Sequence, residues 1–465
     1  MSASCSKPGA RTGSRRGRRG FVLFTTAAMV VLVLLPAIGL AVDAGMMYLV
    51  QSVLSAASDA ASLAGARALA LGIGDSAQHA NAEATANAYF HANFPPGYFA
   101  STNLQVTTLA ATNSTFMRSV TTTSSVDLPF IFLRALGLDH VTLHGSATAT
   151  RRDVNIMIVM DRSGSLSGPP AGSGACTPLK AAAVNFVEKF AEGRDHLGLV
   201  TFATNSGVDV PLTQSFKTPV ETRLNSLVCS GSTNSSQALW QSYQALAGLV
   251  QNGALNVIVF FTGGRPTAVT GSFPIKANCT SRVNKQGVLT LGGATTLGLY
   301  RWDATAKPAM PDPTVIADNA GCAFKNAQAN VTADVSYAPL SDSWGNSLNA
   351  TAYRNVTTSG AGLSIATGQN VQNFATNAAD HAGLRIRRGD PDVLHGNRTL
   401  RAIVIYSIGM GDVDDVLLKR IANDPSLSPN PVAAGSPGRY VYAANASELD
   451  PAFTRVASEL QRLAR

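Results

Sequence analysis

Charge is scarce in this 465-residue chain: Asp, Glu, Lys and Arg together make up 14% of it. That excludes a long, charged, disordered chain and leaves ample apolar residues for a core. The formal net charge is +8, but Lys7, Arg11, Arg15, Arg16, Arg18 and Arg19 supply most of it from the N-terminal end. The remainder is close to neutral, which argues against a nucleic-acid partner. A basic arm beside a membrane accounts for the high pI better. Catalytic signatures are missing as well. There is no Gly-x-x-x-x-Gly-Lys-Ser/Thr, no His-Glu-x-x-His and no Gly-x-Ser-x-Gly, so the chain is not expected to be an enzyme. The seven His residues are scattered. His196 opens a strand and reads as structural. His140 and His144 would share one face of a strand with no obvious partner carboxylate.

Cysteine is also sparse. Five are present, with no Cys-x-x-Cys and no nearby His cluster, which excludes the common thiolate metal sites. Cys5 falls in the basic arm and is expected as a free thiol. Cys176, Cys229, Cys279 and Cys322 are an even set, and an oxidising compartment would permit two disulfides. Three pairings are open. Cys176–Cys229 and Cys279–Cys322 are favoured because each pair lies within one segment.

One further absence is informative. From Gly20 to Val42 no residue is charged. Residues 21–41 are long enough to cross a hydrocarbon core as a helix. Basic residues precede the run and Asp43 ends it. The positive-inside rule then puts the N-terminus in the cytoplasm and the bulk of the chain outside it, anchored by a single membrane-crossing helix. Two rivals differ in processing. A signal peptide could be cut near Gly39-Leu40-Ala41, but its apolar run is normally shorter. A prepilin-type leader would be cut after Gly20, yet Thr25 stands where its acidic residue is expected.

Helical residues continue past the membrane run to about Leu71, and a second helix is predicted over 76–93, stopped by Pro95-Pro96-Gly97. Small residues such as Ala57, Ala60, Ala61 and Ala64 would either admit a second helix or pack on their own domain. Loose alternation over 104–109, 119–128 and 141–150 predicts strands, with a short apolar helix or strand over 130–136. From Asp153 onward the pattern becomes strand–helix alternation, which implies a parallel sheet. Strands are expected over 154–160, 196–202, 208–212, 257–261, 402–409 and 440–442. Helices are expected over 177–192, 235–250, 366–386, 414–421 and 447–464. Residues 267–362 are too long for a simple loop and read as an insertion with structure of its own. Its Trp302 and Trp344 could be exposed anchors, although core packing is the commoner use.

The sharpest local signal is Asp161-Arg162-Ser163-Gly164-Ser165, directly after the apolar run 154–160. Alternate residues of an extended segment point to one side. Asp161, Ser163 and Ser165 can therefore converge at the carboxyl end of a strand, where open α/β sheets hold ligands. Three hard oxygen donors suit Mg²⁺, Mn²⁺ or Ca²⁺. The plain alternative is that they cap the following loop and helix.

That string, followed by Gly231-Ser232-Thr233-Asn234 and Thr262-Gly263-Gly264-Arg265-Pro266, resembles a von Willebrand factor A domain. The N-terminal stretch is similar to bacterial TadG-like (Tad/Flp pilus assembly) proteins. It carries Arg-Arg-Gly before an apolar helix, then Pro36, Gly39, Val42-Asp43, Gln51 and the run from Ala57-Ser58-Asp59 to Gly65-Ala66. Together the resemblance spans about 15–71, 141–266 and 366–465. It implies a Rossmann-like doubly wound α/β sheet over 151–465, with the insertion at 267–362. It also implies a basic cytoplasmic arm (1–19), a transmembrane helix (20–42) and a small membrane-proximal α+β domain (43–150). It further implies a metal-ion-dependent adhesion site made by Asp161, Ser163, Ser165 and Thr233. Gly263 stands where the third loop of that family normally offers an Asp, so a divalent cation would have one carboxylate fewer. Asp209 is a conceivable substitute. The expected partners are proteins of a pilus or secretion machinery. A metal-dependent adhesin that binds a ligand carboxylate, and an accessory subunit of a secretion machine, are the other readings. Oligomeric state is not expected to be legible from one sequence.

Overall fold

The computed structural model describes residues 24–69, 75–112, 117–167, 174–249, 251, 254–274, 285–292, 296–301, 335–350, 353–393, 396, 399, 403–427 and 435–463. The basic arm, Cys5, Trp302 and the expected Cys279–Cys322 pair lie outside the described residues. The chain divides into two compact units.

The first unit is built on one long helix, α1 (Phe24–Ala68), which passes through a π-helical turn at Val30–Leu34. Residues 24–49 of α1 are mostly exposed and apolar, except Gly39 and Asp43. This helix is long and apolar enough to cross a membrane. Beyond Val50 it becomes one-sided. Val50, Leu54, Ala57, Ala61 and Ala64 are buried, spaced by three or four residues as a packed face requires. The small residues therefore pack on their own unit. They meet an antiparallel sheet of β1 (Thr102–Thr112), β2 (Met117–Pro129) and β3 (His140–Arg152). Ser58 Oγ lies 2.9 Å from Ser124 Oγ, and Ser62 Oγ donates to the Ala147 carbonyl at 2.9 Å. The helix α2 (Asp75–Asn93) contributes Ala82, Ala86 and Phe90 to the same core. Residues 130–136, open to either reading in sequence, form a loop with a 3₁₀ turn at Leu133–Leu136.

The second unit carries a six-stranded sheet. Its strands are β4 (Val154–Asp161), β5 (His196–Phe202), β6 (Ser206–Thr213), β7 (Leu255–Gly264), β13 (Val404–Asp412) and β14 (Arg439–Ala443), in the order β14-β13-β7-β4-β5-β6. Five strands run parallel; β6 pairs antiparallel with β5 at the edge. The alternation from Asp153 onward implies a parallel sheet, and β6 is its antiparallel edge. Residues 203–205 alone join Phe202 to Ser206, and so short a connection can return the chain only antiparallel.

Every residue of β4 is buried, as expected for a parallel strand covered on both faces. Its side chains divide by period two. Ile156, Ile158 and Met160 join one core with α3 (Cys176–Val187), α4 (Lys217–Asn225) and α8 (Leu449–Leu463). Met157 and Val159 join the other with α5 (Ser235–Leu249), α6 (Gly368–Arg388) and α7 (Asp415–Ala422). Helices on both faces make the sheet doubly wound. α3 stops at Val187, short of the expected residue 192, because Gly193 turns with φ 76° and Asp195 accepts from the Ala191 amide at 3.1 Å. α4 was not expected: only Val220 and Leu224 are buried on it.

The insertion begins with the antiparallel strands β8 (Ala268–Phe273), β9 (Lys285–Gly292) and β10 (Thr296–Arg301), followed later by the short pair β11 (Thr358–Ser359) and β12 (Gly362–Leu363). Val269, Phe273, Leu289, Leu348 and Leu363 form a separate core with Val371, Phe374 and Ala378 of α6. Trp344 is buried in the main core. Arg385 stacks 3.8 Å over the Trp240 ring and donates to the Trp344 carbonyl and to Asn346 Oδ1, tying the insertion to α5 and α6.

Candidate functional site: the loops at the carboxyl ends of β4 and β7

β4 and β7 are neighbours in register from Val154–Leu255 to Met160–Phe261, so their carboxyl ends open side by side. Asp161 ends β4 and is fully buried. Its Oδ1 accepts from the Ser163 amide at 2.7 Å. Its Oδ2 accepts from Thr262 Oγ1 and from the Gly263 amide, both at 2.9 Å. The carboxylate therefore laces the first loop to the third. Burial pushes the Asp161 carboxyl above its ordinary value, against hydrogen bonds from Ser163, Gly263 and Thr262 that favour the charged form.

The two serines are brought together. Ser163 Oγ lies 3.0 Å from Ser165 Oγ. The second loop is fastened alongside: the Gly164 amide donates to the Gly231 carbonyl at 2.9 Å and the Ser230 amide to the Arg162 carbonyl at 2.7 Å. Thr233 lies on this loop. Its amide donates to Thr267 Oγ1 at 2.9 Å, and its carbonyl accepts from the Thr267 and Ala268 amides. Asp161 accepts from the first and third loops, not from Thr233. Behind Thr233, Asn234 Nδ2 reaches Thr270 Oγ1 and Gln237 Oε1 at 2.8 and 2.9 Å, a buried network that fixes the loop. Cys176 and Cys229 form a disulfide, joining the start of α3 to the base of the second loop.

Leu166 completes the cluster and was not foreseen. It is fully buried. A Cβ built on Gly263 would lie 2.4 Å from Leu166 Cδ2 and 3.5 Å from Ser165 Oγ. The leucine therefore fills the space a third-loop side chain would need. The sequence held the signal, a large apolar residue following Ser165 beside a loop that lacks its side chain. Only the fold pairs the two.

Asp209 does not stand in for the missing acid. It accepts from Thr201 Oγ1 at 2.5 Å and from Arg223 at 3.2 Å. His140 and His144 both lie exposed on β3. Asp127, the carboxylate close enough to feel both, accepts instead from Asn103 and Thr142. Among the described residues no group of three or more His, Cys, Asp or Glu could hold a metal. At the loop cluster the single carboxylate already accepts three hydrogen bonds, and Leu166 occupies the third-loop position. These residues do not fit a tightly held divalent cation, whose affinity follows the number of charged oxygen ligands.

Two family models match parts of the chain. Residues 156–265 match the family model described as von Willebrand factor type A domain. Residues 20–68 match the one described as putative Flp pilus-assembly TadE/G-like. None of the curated proteins matches the chain. Similar solved structures include a point mutant of the PilB minor pilin from Streptococcus sanguinis (14% identity, 78% of this chain and 79% of that one, TM-score 0.35). Another is the vWF domain of the type V pili tip protein Mfa5 from Porphyromonas gingivalis (14% identity, 68% and 98%, TM-score 0.35). A third is the pilus adhesin SpaC from Lactobacillus rhamnosus GG in its open conformation (12% identity, 77% and 34%, TM-score 0.36). The chain thus joins a segment that matches the TadE/G-like model to one that matches the von Willebrand factor type A model.

Proposed function

We propose that this protein is a membrane-anchored, non-enzymatic component of Tad/Flp pilus assembly, and that its A domain binds other proteins of the pilus or secretion machinery. The observation that carries this reading is the union, in one chain, of a TadE/G-like apolar helix and an A domain. The basic residues before the helix support a cytoplasmic N-terminus in the inner membrane and an A domain on the other side. The Cys176–Cys229 disulfide is consistent with an oxidising compartment.

The A domain works here without a bound cation. Leu166 over Gly263 and the fully engaged Asp161 support this, leaving the surfaces of the loops and the insertion to recognise the partner. The competing reading, a metal-dependent adhesin that grips a ligand carboxylate, draws on one observation, the 3.0 Å approach of the Ser163 and Ser165 hydroxyls.

The test is complementation. In a strain lacking the gene, the full chain and a Ser163→Ala/Ser165→Ala variant should both restore pili, whereas residues 1–150 alone should not. Undiminished piliation without the gene would refute the pilus role. Failure of the serine variant alone, with wild-type protein levels, would favour the adhesin-type site.

A further inference from the structure

Asp43 was legible in sequence only as the charge that ends the apolar run. In the fold it has a partner. It is fully buried although its helical neighbours Val42 and Ala44 are exposed. Its Oδ1 accepts from the Ile131 amide at 3.0 Å, and its Oδ2 from the amides of Phe132 and Leu133 at 3.0 and 2.7 Å. These are the donors left unpaired as the chain enters the 3₁₀ turn Leu133–Leu136, and a carboxylate is the natural acceptor for such a cluster.

One helical turn nearer the N-terminus, the loop touches α1 again. A Cβ on Gly39 would lie 2.7 Å from Phe132 Cβ and Cγ, so Phe132 rests directly on the helix backbone. Gly39 belongs to the uncharged stretch 20–42. The loop therefore reaches down to the level of the membrane-crossing segment itself.

What the loop shows outward is apolar. Leu136 is 74% exposed, Ile131 58%, Leu138 52% and Phe132 48%. Water would oppose so dense a group of exposed large side chains. Ile38, Leu40 and Val42 of α1 are exposed as well. The side chain of Arg134, also on the loop, is 74% exposed, lies 3.6 Å from the equally exposed carboxylate of Asp139, and is long enough to reach headgroup phosphates from such a depth.

We propose that residues 130–138 are a membrane-interface anchor. The loop inserts into the headgroup and upper acyl region of the bilayer that α1 crosses, and Asp43 clips it to the helix. Two elements in one leaflet would fix the tilt and rotation of the unit against the membrane, which a single helix leaves free. The inference rests on α1 spanning the membrane and is independent of what the A domain binds.

The test uses the full chain reconstituted in phosphatidylcholine–phosphatidylglycerol vesicles containing acyl-brominated lipid, with Leu136→Trp as the reporter. Leu136 is exposed, so the substitution spares the core. Tyr89→Trp on α2 is the reference. The expected result is loss of the added emission for Leu136→Trp, stronger with bromines near the headgroup than near the chain end, and none for Tyr89→Trp. Adding Asp43→Ala should reduce the loss at position 136; an undiminished loss would remove Asp43 from the account. A chain that fails to float with the vesicles overturns the spanning helix and the anchor together. A chain that floats with an unquenched Leu136→Trp overturns the anchor alone. A reporter shielded from aqueous acrylamide yet beyond the reach of the bromines would put a protein on the loop, and that too overturns it.

Discussion

Leu166 lies where a side chain at position 263 would have to go: a Cβ on Gly263 would come within 2.4 Å of Leu166 Cδ2. The first and third loops are thus closed on each other by an apolar contact, above a carboxylate, Asp161, that bonds to both. Restoring the third-loop acid is therefore not a matter of one substitution.

Gly263→Asp alone should destabilise the A domain by roughly 1–3 kcal/mol, the usual cost of overpacking a filled space. Its thermal midpoint should be the same with Mg²⁺ or chelator. Combined with Leu166→Ala it should recover part of the loss and gain a midpoint that rises with millimolar cation. A cation-dependent midpoint in the single variant would contradict the packing described here.

The Cys176–Cys229 bond spans 53 residues. Closing a loop of that length restricts the unfolded chain by about 4 kcal/mol in the entropic estimate. The double Cys→Ser variant should unfold at clearly lower denaturant concentration, and reductant should lower the wild-type midpoint toward it. Reductant-insensitive unfolding of the wild type would count against the bond.

Asp342 gives the second unit a pH signature. It is buried and accepts from the Trp344 and Asn346 amides and from Asn346 Nδ2. Burial nevertheless pushes its carboxyl up to about 6 from an ordinary 3.8. The folded state holds this proton more tightly than the unfolded chain does. Its contribution is full below the unfolded value and is lost as pH rises through about 6, an effect on the order of 3 kcal/mol. Relative to Asp342→Asn, the wild type should lose stability between pH 4 and 7, followed by denaturant titration. Parallel profiles would exclude Asp342 as the source.

Arg385 joins the insertion to the main core through a cation–π contact with Trp240 and two hydrogen bonds. Arg385→Lys keeps the charge but loses the planar fork and its stacking. It should cost about 1–3 kcal/mol, with hydrogen exchange quickening first around Trp344 and Asn346. Unaltered exchange there would mean the insertion is held by its apolar core alone.

The framework was legible because buried parallel strands announce themselves. The apolar runs ending at Asp161 and Thr262, and the run through Ile408, became β4, β7 and β13. Periodicity marked the helices over 366–386 and 414–421, and the fold adds their caps, Thr367 before α6 and Asp414 before α7. α4 escaped because two buried residues in nine leave little periodicity. The antiparallel turn of β6 depends on connection length, which hydropathy does not encode. At the candidate site, Asp161, Ser163 and Ser165 stood out by spacing. Leu166 over Gly263 and Asp43 under Ile131–Leu133 join residues about 100 and 90 positions apart, and such contacts exist only once the chain has folded.

The most direct test of a cation-independent A domain is calorimetric titration of Mg²⁺, Mn²⁺ and Ca²⁺ into the detergent-solubilised full chain, with Ser163→Ala/Ser165→Ala as control. No saturable heat up to millimolar cation, and no difference from the control, is the expected result. Saturable binding that the serine substitutions abolish would contradict the account and restore the cation-bridged site.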